Sequence, residues 1–150
     1  MDAIPYLRSP FSERQARFSP DGRWVAYTGD DSGRPEVYLQ PFPPTGKKWQ
    51  ISNDGGHEPA WRRDGRELFY LSGDRRLMAV PLRSTDEIVA GAPEELFRVP
   101  RDAPIDARIS YAPAADGQRF LVNVAAPDRV RLPMFETQVV VNWTATLHTH

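Results

Sequence analysis

Apolar residues along this chain gather in short runs closed off by glycine, proline, aspartate and asparagine. Trp24 to Tyr27, Leu68 to Leu71 and Phe120 to Val124, the last broken only by Asn123, are apolar almost throughout. A strand with one buried face alternates, whereas a strand covered on both faces does not. These three runs are therefore predicted as strands sandwiched between layers. Further strands are predicted at Glu36 to Gln40, Leu77 to Leu82 and Gln138 to Trp143. Lys48 to Ser52 and Glu95 to Val99 alternate apolar with polar, the pattern of a more exposed outer strand. No helix longer than about three turns is required, and the fold class is all-β.

The runs belong to a repeat. Phe18-Ser19-Pro20-Asp21-Gly22-Arg23-Trp24-Val25-Ala26-Tyr27 is echoed by Trp61-Arg62-Arg63-Asp64-Gly65-Arg66-Glu67-Leu68-Phe69-Tyr70. Pro113-Ala114-Ala115-Asp116-Gly117-Gln118-Arg119-Phe120-Leu121-Val122 is a weaker third copy. The Asp-Gly pairs at 21, 64 and 116 lie 43 and 52 residues apart, the period of propeller blades. In each pair the aspartate favours a turn and the glycine takes the left-handed conformation that closes a hairpin. The repeats predict a β-propeller of about three four-stranded blades in one domain over 1–150. Blade one covers 11–53, blade two 54–100 and blade three 101–150, the last lacking its final strand. Residues 4–10 form a leftover closing strand, where Pro5 requires a sheet edge.

Composition removes several functions. With 19 Lys plus Arg against 20 Asp plus Glu, the net charge is −1, and a nucleic-acid partner is not expected. There is no cysteine, hence no disulfide or thiolate metal site. Met1 to Tyr6 has neither a basic nor an apolar leader region, and no stretch reaches the roughly 20 apolar residues of a membrane span. No secretory leader, membrane insertion or cofactor is expected of this chain.

These residues carry a resemblance. The Phe18–Tyr27 repeat resembles that of TolB-like propellers, a WD-repeat-like family. The likeness continues through Gly33–Pro43, Trp49–Pro59 and Trp61–Tyr70 to Asn142-Trp143-Thr144-Ala145. Together they are similar to the carboxy-terminal propeller half of bacterial membrane-anchored serine/threonine protein kinases. The resemblance implies a six-bladed ring, of which this chain holds half, and a sensor or scaffold role. It implies a site outside the cytoplasmic membrane if the chain derives from such a kinase, and the cytoplasm otherwise. No His-Arg-Asp, Asp-Phe-Gly, glycine-rich phosphate loop or Gly-x-Ser-x-Gly occurs, so neither phosphoryl transfer nor a serine hydrolase is expected of these residues. Two copies are expected to close the ring as a homodimer, each donating Ile4–Leu7 to the third blade of the other; the rival is a truncated fragment or a compact three-bladed monomer with its own strand swapped back.

Ligands of propellers gather at the channel mouth. Gly55-Gly56-His57-Glu58-Pro59 links blade one to blade two there, and His57 and Glu58 offer a titratable imidazole and an acceptor. By the repeat, Glu58 corresponds to Gln15 and to Ser110; Glu13, Arg14, Arg17, Asp106 and Arg108 lie close by. The candidate binding set is Glu13, Gln15, Arg17, His57, Glu58, Arg108 and Ser110, set against an internal network that merely satisfies the channel wall. No catalytic or metal-ligating residue is assigned. The run Thr28 to Gly33 lacks the alternating carboxylates of a calcium loop and is read as a hairpin. His148 and His150 are read as terminal residues, and Trp24, Trp49, Trp61 and Trp143 as inter-blade core. The predicted function is a non-catalytic binding or assembly module that takes a protein or small ligand; the alternative is a hydrolase or lyase with a polar site at the channel mouth.

Overall fold

The computed structural model describes residues 6, 9–84, 87–100, 110–125 and 135–141, which are all-β. Blade one is the sheet β1 (Glu13–Phe18), β2 (Trp24–Gly29), β3 (Glu36–Pro41) and β4 (Trp49–Gln50), in that order and antiparallel. Blade two runs β5 (Gly56–Trp61), β6 (Glu67–Ser72) and β7 (Arg76–Ser84). The long β7 then pairs with β8 (Ile88–Ala90) through its second half and with β9 (Glu94–Arg98) through its first. Blade three comprises β10 (Tyr111–Pro113), β11 (Arg119–Ala125) and β12 (Phe135–Val141).

Each first hairpin is closed in the same way. Gly22, Gly65 and Gly117 have φ of 71°, 72° and 69°, a region costly for any residue with a Cβ. The aspartate before each glycine accepts a hydrogen bond from the backbone two residues on, at Arg23, Arg66 and Gln118, over 3.1, 3.0 and 2.9 Å. The third turn keeps this geometry although it has lost the Ser-Pro of the first, because the Asp-Gly pair alone supplies both requirements.

Blade two explains the continuous apolar runs. Leu68 and Tyr70 on β6 join Trp24, Ala26, Val37 and Leu39 of blade one in one core. Their neighbours Phe69 and Leu71 join Phe120, Val122 and Val124 of blade three in another. Alternate residues of one strand thus serve different cores, and every position must be apolar. Full burial of a side chain such as Phe69 contributes about 1.5–3 kcal/mol.

Two differences from the sequence reading stand out. The outer strand of blade one pairs only over Trp49–Gln50, shorter than Lys48–Ser52, because Ser52 turns inward onto Glu36. Blade two carries the unexpected β8, an insertion whose Ile88 is buried in the core shared with blade one, while Glu87 pairs with Lys47 at 2.6 Å. Of Ile4–Leu7, only Tyr6 lies within the described residues. Its hydroxyl donates to the Pro41 carbonyl (2.8 Å), and the Ser12 amide donates to Asp30 Oδ1 (2.8 Å), so Tyr6 and Ser12 are fastened to opposite ends of blade one. Among the described residues no helix is long and apolar enough to cross a membrane.

Candidate functional site

The inner strands β1 and β5 each break register near their start, between Arg14 and Arg17 and between His57 and Ala60. At these bulges Gln15 and Glu58 adopt φ of 59° and 55°, left-handed values that side-chain-bearing residues adopt only when held there. What holds them is the neighbouring blade. Gln15 Oε1 accepts hydrogen bonds from the Glu58 amide at 2.9 Å and from Thr28 Oγ1 at 3.0 Å. One repeat on, the Glu58 carboxylate accepts from the Ser110 amide at 2.6 Å and from Ser110 Oγ at 2.7 Å. Tyr111 Oη adds a bond of 2.7 Å to the Glu58 carbonyl. Each bulge side chain therefore reaches forward to the backbone N–H of the equivalent residue in the next blade.

The ladder decides what these groups can do chemically. Glu58 is only 7% exposed and Ser110 3%, and the carboxylate is held by two donors. A buried carboxylate so engaged is a structural acceptor, since breaking its bonds strands two buried donors. Burial pushes the Tyr111 hydroxyl well above the usual phenol range, and the nearby Glu58 charge pushes it further. Tyr111 thus remains a protonated donor.

The other candidates are more open. Glu13 is partly exposed and accepts from Ser9 Oγ at 2.8 Å. Arg17 is exposed, its guanidinium donating to the adjacent Ala16 carbonyl (3.2 Å), and like Arg14 it makes no ion pair with a described residue. His57 is half-buried; desolvation lowers its pKa, Glu58 opposes that shift, and Arg75 and Arg14 add to it. A cavity of about 170 Å³ opens on the inner wall between Arg17, Gln15, Glu58 and Tyr111. Arg108, Asp106, Trp143, His148 and His150 lie outside the described residues.

Sequence reasoning missed Glu36. Its fully buried carboxylate accepts from the Gly55 amide (2.9 Å), from Arg34 Nε (2.8 Å) and from Ser52 Oγ, and Ser52 Oγ in turn accepts from the Val37 amide at 2.8 Å. This hub ties the blade-one linker down immediately ahead of His57. The Gly55-Gly56 pair was the available signal. Gly55 has φ of 83°, and a Cβ on Gly56 would meet Ser52 Oγ at 2.3 Å. In the Thr28–Gly33 hairpin, Asp30 holds Ser12 and Asp31 pairs with Lys48; among the described residues no cluster of three or more metal-ligating side chains occurs. Trp24 is buried and meets Trp49 edge-on at 5.4 Å; Trp61 is partly exposed and donates its indole N–H to the Arg17 carbonyl at 3.1 Å.

Neither a protein-family model nor a curated protein matches the chain. Solved structures do. TolB from Acinetobacter baumannii superposes with a TM-score of 0.60 at 16% identity, over 87% of this chain and 30% of that one. A protein described as TolB from Agrobacterium tumefaciens gives 0.56 at 17% identity, over 90% of this chain and 47% of that one. An oligogalacturonate lyase from Vibrio parahaemolyticus gives 0.51 at 18% identity, over 74% and 28%. The chain thus spans less than half the length of each of these proteins. Its fold is that of a TolB-like β-propeller, in the portion that half a ring would supply.

Proposed function

We propose that the chain is a non-catalytic propeller module that binds an anionic segment of a protein or a small anion at its inner rim. One observation carries this reading. Glu58, the buried acid among the inner-strand candidates, is consumed by the Ser110 hydrogen bonds, while Arg14 and Arg17 stand exposed without an ion-pair partner among the described residues. A rim whose buried carboxylate is committed and whose guanidiniums are open favours anions, and guanidinium suits carboxylate or phosphate in a bidentate fork. Among the described residues lining the cavity, the one carboxylate, Glu58, is committed to Ser110, which favours binding over proton-transfer chemistry in this reading. Titration with hexaglutamate by calorimetry tests the reading. Binding that weakens severalfold in Arg17→Ala and falls with added salt supports it, and no saturable heat refutes it.

In this proposal two copies complete the ring. The far face of blade three supports it, since Leu121 is 47% exposed there, where a following blade would cover it. A solution mass of twice the chain by light scattering would support the dimer, and a concentration-independent monomer would rule it out. The alternative hydrolase or lyase reading rests on fold likeness to the Vibrio lyase. Turnover of oligogalacturonate would replace the binding reading with it.

A further inference from the structure

The strand registers superimpose blade one on blade two. Val25 pairs with Gln40 and Tyr27 with Tyr38, as Leu68 pairs with Val80 and Tyr70 with Met78. Leu68, Tyr70, Met78 and Val80 pack back toward blade one. Val25, Tyr27, Tyr38 and Gln40 therefore form the corresponding face of blade one, turned away from blade two. Neither core includes Val25, Tyr27 or Tyr38, yet each is only 3% exposed, so this face is covered within the single chain. Tyr6 reaches its edge from outside the sheet. The Tyr6 ring packs on Phe42 at 5.5 Å, and its hydroxyl holds the Pro41 carbonyl. Burial pushes the Tyr27 hydroxyl up to about 12, and Glu13, Tyr6 and Tyr38 add to the rise.

That cover is imperfect. Gln40 Oε1 is buried without a hydrogen-bond partner, at the position where blade two has Val80. At the edge of the face Phe18 and Phe42 meet at 5.0 Å but stay 57% and 44% exposed. Phe42 N donates to the Arg23 carbonyl as Leu82 N does to that of Arg66, so Phe42 corresponds to Leu82, and Phe18 to Trp61 by the Asp-Gly spacing. Both counterparts pack on the core that holds Trp24 and Ala26. On blade three the residues equivalent to Trp24 and Ala26 are Arg119 and Leu121, and both are exposed. We infer that this face of blade one is the docking surface for blade three of a second copy, and that Tyr6 latches it shut in the single chain. On docking, Tyr6 gives way and Leu121 packs toward Val25 and Tyr27. The Arg119 guanidinium lies against Phe18 and Phe42, with N–H groups to spare for Gln40 Oε1. Its present partner is Asp116, at 3.2 Å on the surface, a contact that is easily exchanged. The latch rests on the ring-closing dimer proposed above and adds what controls it, two contacts competing for one face.

The test follows the mass of the full chain by light scattering over a wide range of concentrations, in the parent, Tyr6→Ala, Tyr6→Phe and Arg119→Glu. The parent should pass from one chain to two as concentration rises. Tyr6→Ala should lower the midpoint by about tenfold or more, because two latches, each a hydrogen bond and a ring contact, open per ring. Tyr6→Phe keeps the ring on Phe42 and loses only the bond to Pro41, so its midpoint should fall by less, and it decides the matter if alanine unfolds blade one. Arg119→Glu, an exposed position, should raise the midpoint severalfold. Unchanged midpoints in both Tyr6 variants, with a dimer that Arg119→Glu still weakens, overturn the latch and leave the ring reading standing. A weaker dimer in Tyr6→Ala also overturns it, because Tyr6 then belongs to the contact. A dimer indifferent to Arg119→Glu overturns the docking surface, and a single-chain mass throughout, in parent and Tyr6 variants alike, overturns the ring and the latch together.

Discussion

Glu58 carries the sharpest energetic prediction. In Glu58→Ala the Ser110 amide and hydroxyl, now bonded at 2.6 and 2.7 Å, both lose their acceptor. Ser110 is 3% exposed, so neither donor reaches bulk water. An orphaned buried donor costs about 1–3 kcal/mol. The amide is fixed in the bulge and bears nearly its full penalty. The hydroxyl can rotate, and the adjacent cavity can admit water, so it bears less. The expected destabilisation is about 3 kcal/mol. The left-handed φ of residue 58 adds little, since glutamate already bears the same strain as alanine. Glu58→Gln is the discriminating control. Its carbonyl oxygen still accepts from the Ser110 amide, as Gln15 Oε1 already accepts from the Glu58 amide, and its NH₂ donates to the hydroxyl. Only charge assistance is lost, at about 1 kcal/mol. Urea unfolding followed by tryptophan fluorescence reads both variants, and a cycle with Ser110→Ala isolates the coupling. The reasoning is refuted if alanine costs under about 1 kcal/mol, or if glutamine costs as much as alanine.

His57, whose pKa is lowered in the fold, binds protons more readily when unfolded. Its contribution to stability is therefore present above an unfolded value of about 6.5 and lost as pH falls through the folded pKa. Urea midpoints from pH 5 to 8 should show this slope in the parent and a flatter profile in His57→Gln. Gly56→Ala drives a Cβ into Ser52 Oγ and should cost about 1–3 kcal/mol or abolish soluble expression. Gly22→Ala meets no atom within 4 Å and should cost only the backbone penalty of about 1 kcal/mol, as thermal melts of the pair will show. Asp64, held down to about 2 by its hydrogen bonds to Arg62, should titrate there by carbon-13 NMR and return toward the ordinary carboxylate range in Arg62→Ala.

The propeller was legible because the equivalent first hairpins each place a left-handed glycine directly after an aspartate, at 22, 65 and 117, and the spacing of those three turns sets the period. The equivalence of Gln15, Glu58 and Ser110 was legible from the same arithmetic. Their role was not, because a bulge side chain facing a ligand and one facing the next blade's amide look identical in sequence. Glu36 was hidden for a similar reason. An acid at the start of a strand is ordinarily solvated, and besides Arg34 two residues before it, the partners that make burial tolerable are Ser52 and Gly55, 16 and 19 residues away. The second period, 52 residues against 43, falls in the range of ordinary blades. It did not reveal that the insertion folds back onto blade one through Ile88, which depends on a cavity that exists only after the blades pack.

The forward-reaching side chains at 15 and 58 also set how the molecule comes apart. Each couples a blade only to its immediate successor, so the array behaves as a one-dimensional lattice with nearest-neighbour terms. Blade two is coupled on both sides, through Gln15 behind and Ser110 ahead, and its amides should exchange hydrogen most slowly. Within a single chain, blades one and three are each coupled on one side and should open first, independently of each other. Weakening a single link then divides one cooperative unit into two, and a mutation at position 58 should change the sharpness of unfolding as well as its midpoint.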